Sequence, residues 1–245
     1  MENASEMSGP RTFTIFVNPL LFLEADPVYA AHTGASLTAE ATVNFMCTPG
    51  LDTSLNALAA RYHEITADET RLFAVPAEDR ILAKLIWPLR HAKSCYMAGN
   101  YLGTISLCGM VAEMIAILLF DISEVTLNTK PFDEKTQLLL LGRKFEKLGQ
   151  ERRVHTLLAL GLITPATYAH FTVIRTIRTK YLHLWSQDHK TLPADANKAF
   201  KSTVPLVDSV IGHDIREGTI YISPRFAKYL ERSGVYEETE TDSQG

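Results

Sequence analysis

Arg178 and His183, with four residues between them, stand at the end of the stretch Ile174-Arg-Thr-Ile-Arg-Thr-Lys-Tyr-Leu-His183. Arginine carries a planar, permanently charged fork that matches the oxygens of an anion, and histidine exchanges a proton near neutral pH. Together they could hold an anion and move a proton on it. The local charge favours such a partner. The chain carries a net −4, yet the span from Arg143 to Lys190 holds nine Lys/Arg against three Asp/Glu, a surplus of +6, together with His155, His170, His183 and His189. A polyanion would be met there.

Geometry limits the pair. Five positions along an ideal helix turn about 500°, or ~140° net, so the two side chains share no face of a straight helix. They converge only if His183 lies where the helix ends, or if two chains build the site. A structural role is the competing account: Arg178 paired with a carboxylate such as Glu113 or capping carbonyls, and His183 a cation favoured at a helix C-terminus. Glu113 stands in an apolar helix, where an unpaired carboxylate is costly, so an ion pair with a motif arginine is expected.

The elements that must position these residues are helical from Ala77 onward. Ile81, Leu82, Leu85, Leu89, Ala92 and Tyr96 share a face, with a kink expected at Pro88. Gly99 followed by Asn100 spells a stop and restart. Tyr101 to Phe120 is the most apolar helix and should be central. Leu138, Leu141, Phe145 and Leu148 mark a third helix ending at Gly149, and Arg152 to Leu160 a short one closed by Gly161. Thr164-Pro165 starts the helix of the motif. A loop through Asp188 and Pro193 leads to a last helix, Asp195 to Ile211. Before this body, Thr12 to Val17 is β-rich, Ser36 to Cys47 alternates with period two, Thr48-Pro49-Gly50 is a turn, and a helix follows an N-cap at Asp52 or Thr53. Gly218 to Ser223 could add a strand, and Glu237 to Asp242 is an acidic tail expected to be disordered. The fold class is mainly α, a helical bundle over 76–213 with a small α+β extension at 1–75 and a short strand or helix in 214–245.

Hydrophobic residues make up 46% and charged residues 21%, the balance of a globular protein. Cys47, Cys95 and Cys108 are scattered, so neither a disulfide framework nor a zinc site is expected. No signal or transit peptide is apparent. Ile105 to Phe120 is too short an apolar run to span a bilayer, which needs roughly 20 residues. A cytoplasmic protein without membrane association is expected. Phosphate-loop, dinucleotide, nucleophile-elbow and zinc-protease motifs are missing, and no metal or other cofactor is expected.

The segment "AKSCYMAGNYLGTISLCGMVAEMIAILL", with its Ala112-Glu113 step, and the run "LLALGLIT" followed by "IRTIRTKYLHLW" resemble HEPN domains, whose R-x4-6-H motif Arg178 and His183 fit. The resemblance covers roughly residues 78–213. It implies a HEPN-like helical bundle, a homodimer with facing motifs, and metal-independent RNA cleavage. In that chemistry the ribose 2′-OH attacks the adjacent phosphate, leaving a cyclic phosphate and a 5′-hydroxyl. Arg178 and His183 would be catalytic, with Thr179, Glu113 and Arg175 in support. The family often has Asn, Asp or His after the motif arginine; here it is Thr179, which donates and accepts a hydrogen bond but has no amide or carboxylate. Lys180, Tyr181, His189 and Lys190 are candidate RNA contacts, Tyr181 and Trp185 by stacking on bases. The family also implies a defence, stress or toxin–antitoxin setting, with an inhibitory or sensor protein as a further partner. The alternative is an inactive HEPN-like module that binds RNA, nucleotide or protein.

Overall fold

The computed structural model describes residues 51–233 except 53, 67–77, 128, 184–187, 213, 217 and 218. The segments expected as strands at 12–17 and 36–47, the turn at 48–50, Trp185 and the acidic stretch 237–242 lie outside the described residues. What is described is mainly helical, and the described residues belong to one compact unit.

Helix α1 (Leu55–Thr66) is capped by Ser54, whose Oγ accepts from Ala57 N at 3.3 Å, while Asp52 Oδ1 accepts from Ser54 N at 2.8 Å. The cap therefore falls on Ser54, and Asp52 braces it. Arg61 fastens α1 by donating from Nε to Met97 O at 2.6 Å. Helix α2 (Asp79–Ile81) runs through a π-helical turn, Leu82–Ile86, into α3 (Trp87–Met97). Pro88 lacks an N–H, and its ring would strike the carbonyl four residues back in a regular helix. The widened turn, in which Trp87 N bonds Leu82 O, precedes it directly. The helix stops at Gly99 (φ +75), and Asn100 Oδ1 accepts from Gly103 N at 2.9 Å to begin α4 (Tyr101–Ile122).

Helix α4 is the centre of the bundle. Ile105, Cys108, Val111, Ile115 and Ala116 are fully buried, and each aliphatic side chain so removed from water contributes about 1.5–3 kcal/mol. At 22 residues α4 is longer than its apolar run suggests, and by length and composition alone it could cross a bilayer; 61% of its most apolar window is buried within the protein.

The expected third helix is two pieces: α5 (Glu134–Leu141) ends at Gly142 (φ +74), and a 3-10 turn covers Phe145–Lys147. Helix α6 (Gln150–Ala159) is the short helix expected over Arg152 to Leu160. Phe145 and Leu148 are buried although they lie off α5. Phe145 stacks on Phe120 at 4.0 Å, so a tertiary contact produced the helix-like spacing. Thr164 caps α7 (Pro165–Leu182), accepting from Thr167 N at 3.1 Å. Helix α8 (Leu192–Ile211) starts earlier than expected, because Pro193 falls in its first turn, where a missing N–H costs nothing. Helices α3, α7 and α8 pack around α4, and α1 packs on α3 and α8. Two short antiparallel hairpins complete the described fold: β1 (Thr126–Leu127) with β2 (Lys130–Pro131), and β3 (Asp214–Arg216) with β4 (Thr219–Tyr221). Helix α9 (Pro224–Arg232) follows, and its Lys228 and Arg232 both pair with Glu124.

Candidate active site

Helix α7 ends where the chemistry needs it to. His183 is its C-cap, at φ −128 and ψ −13, with its N–H still donating to Thr179 O at 3.2 Å. The chain leaves the helix there, which removes the angular obstacle of a straight helix. Arg178, Thr179 and His183 line one cavity of ≈ 60 Å³, together with Arg175, Gly109, Ala112 and Gln150. At about 10–15 Å³ per water-sized occupant, it admits a group the size of a phosphate. The His183 ring is exposed and makes no hydrogen bond to a described residue.

The Arg178 guanidinium donates to Glu113 Oε1 through a short charged hydrogen bond from Nη1. The expected pair between Glu113 and a motif arginine is therefore present, and it is half-buried, at 35% and 28% side-chain exposure. Arg178 Nε is buried and has no partner among the described residues. Its stem lies across Gly109, where an added Cβ would sit 2.6 Å from Arg178 Cδ. Gly109 is thus a site residue that the sequence reading missed. Its signal was a glycine inside an apolar helix, where it costs about 1 kcal/mol relative to alanine unless something must approach closely.

Two further features face the cavity. Arg175 pairs with Glu151 at 2.8 Å, both side chains remaining well exposed. Gln150 is the first residue of α6, so the partially positive end of that helix lies at the cavity edge.

Other candidates go elsewhere. Lys180 Nζ donates to Asp195 Oδ2 at 2.9 Å and Thr191 Oγ1 at 2.8 Å. The hydrogen bond to Asp195, before all other influences, pushes the Lys180 ammonium up to about 12. Tyr181 is 8% exposed and donates to Asp195 Oδ2 at 2.6 Å. A ring buried in this way offers no face to a base, so the stacking expected of Tyr181 gives way to a core role, and Lys180 serves the same network. His189 sits edge-on to the Tyr181 ring at 5.7 Å. Lys190 is exposed beside Asp188. Half of the +6 surplus is met by carboxylates from outside its span: Glu113, Glu134 and Asp195. Among the described residues no three His, Cys, Asp or Glu side chains cluster as metal ligands.

Compared with protein-family models, curated proteins and solved structures, the chain matches none of them.

Proposed function

We propose that this chain is a metal-independent RNA endonuclease of the HEPN kind. The observation that carries the proposal is the single cavity shared by Arg178, Thr179 and His183, opened by the end of α7 at His183. The ribose 2′-oxygen gives up its proton and bonds to phosphorus. The bond from phosphorus to the 5′-oxygen breaks, and that oxygen takes a proton. His183 exchanges these protons from the solvent-facing end of the site. Arg178 meets the negative charge gathering on the phosphoryl oxygens, where a fixed donor costs no reorganisation. Thr179 offers a hydroxyl beside them, Arg175 a second cation, and Glu113 holds the Arg178 fork in place.

Two copies pair in this proposal. The HEPN resemblance implies that the two motifs face each other across the pair.

A second reading, a catalytically silent module that binds RNA, nucleotide or protein, is favoured by one observation: Arg178 already has a carboxylate partner in Glu113. The test for both is incubation of wild type and His183→Ala with total RNA in EDTA, followed by analysis of fragment ends. Cleavage by wild type alone, with cyclic phosphate ends, supports the endonuclease. RNA retention without cleavage by either supports the silent module. Equal cleavage by both removes the motif from the site.

A further inference from the structure

Along α7, Tyr168, Thr172, Arg175 and Thr179 recur every three or four residues, so they form one stripe that leads to the C-cap, His183. With His183 it spans roughly 20 Å at 1.5 Å per residue. It borders two cavities: the one holding Arg178 and His183, and a second of ≈ 10 Å³ flanked by His155, Tyr168 and Thr172, with Arg175 and Gln150 in the wall of both. Arg175 therefore stands between the two cavities, on the seam where α6 and α7 pack. Its partner Glu151 is 57% exposed, and exposed ion pairs are weak enough for a phosphate to displace the carboxylate.

At the far end, the His155 ring lies nearly parallel to Tyr168, 5.6 Å between centroids and 20° between planes. A 2.8 Å hydrogen bond between Nε2 and the Tyr168 hydroxyl fixes it. Tyr168 packs on the core, while His155 is exposed. The small cavity is too narrow to enclose a base. A base is instead laid on the outer face of a ring already held flat. Neither His155 nor Tyr168 has a task in the cleavage chemistry.

We propose that the α6–α7 face carries the RNA strand away from the reacting phosphate, with Arg175 as a phosphate clamp and His155 as a base-stacking platform. This rests on the endonuclease reading and adds a substrate requirement to it: single-stranded RNA several nucleotides long. A strand stacked at 3.4 Å spacing would place about six nucleotides along the face.

The test measures binding of two- and six-nucleotide RNAs, blocked at the 2′-position, to wild type, His155→Ala and His155→Phe. Stacking of one base on a ring typically governs affinity by about tenfold. The six-over-two affinity ratio should fall by about that factor in His155→Ala and be held by His155→Phe, which keeps a ring. An unchanged ratio in a folded His155→Ala protein overturns this proposal and leaves the endonuclease reading standing. A wild type that neither binds nor cleaves any RNA sinks both.

Discussion

The last two turns of α7 carry basic residues of the same kind to opposite fates. Lys180, with Tyr181, Thr191 and Asp195, belongs to a network in which donors and acceptors meet at 2.6–3.1 Å and tie α7 to the first turn of α8. Two positions earlier, Arg178 has one charged partner, a buried Nε without one among the described residues, and a cavity alongside. Buried polar groups are nearly always satisfied. A helix that completes its hydrogen bonds on one side and leaves them open on the other separates structural duty from chemical duty. The satisfied side ties the helix end to α8, and His183 lies on the open side.

The largest effect that sharpens this contrast is His183→Ala. RNA cleavage should fall by about 10²–10⁴-fold, the usual contribution of a general acid or base, with no change in melting temperature because the ring is exposed. A matching loss of stability would make His183 a structural residue. Gly109→Ala comes next. Its methyl group would enter the space of Arg178 Cδ, and displacing a catalytic group by an ångström costs about 10²-fold. Alanine is the better helix former by about 1 kcal/mol, so thermal unfolding should show no loss of stability while the rate collapses. Glu113→Gln keeps the shape of the carboxylate and removes its charge. Steady-state kinetics should show kcat falling about tenfold as Arg178 loses its orienting partner, and KM falling as well because the guanidinium charge is no longer offset.

On the satisfied side, Asp195→Asn should leave cleavage intact and lower stability by about 1 kcal/mol, or roughly 2–4 °C. Burial pushes the Asp195 carboxyl up, but hydrogen bonds from Tyr181, Lys180 and Thr191 outweigh it and hold the group below the usual carboxylate range. A depressed carboxylate stabilises above its unfolded value, near 3.8, and loses that contribution as pH falls through the lower folded value. Lys180, raised, stabilises fully below its unfolded value of 10.5 and loses the contribution as pH rises through about 12. The difference in stability between wild type and Asp195→Asn should therefore be flat from about pH 5 to 9, narrow below pH 4, and narrow again above pH 11. Smallest of all is Glu151→Gln, which breaks only an exposed pair and should shift stability by less than about 1 kcal/mol in a chemical denaturation curve.

Much of the frame was legible because it is local. Gly99 and Asn100, Gly161, and Thr164-Pro165 mark helix ends through backbone freedom and side-chain caps, and these act over three or four residues. The centrality of α4 followed from its apolar run, and the ion pair of Glu113 from the cost of leaving a carboxylate alone there. The splitting of the third helix was hidden, because Phe145 and Leu148 reach the core from outside α5 and mimic helical spacing. Sequence gave the stripe on α7 its angular order and named Arg178 and His183 as a pair. It held no means of assigning Lys180 to a structural network, because that depends on what packs opposite it. Tertiary structure brought Asp195 to Lys180 and Glu113, Gly109 and the start of α6 to Arg178, and it placed His183 beyond the last helical residue. A helix determines the direction of its side chains through its own geometry, whereas the charge, space and solvent they meet come from segments distant in the chain.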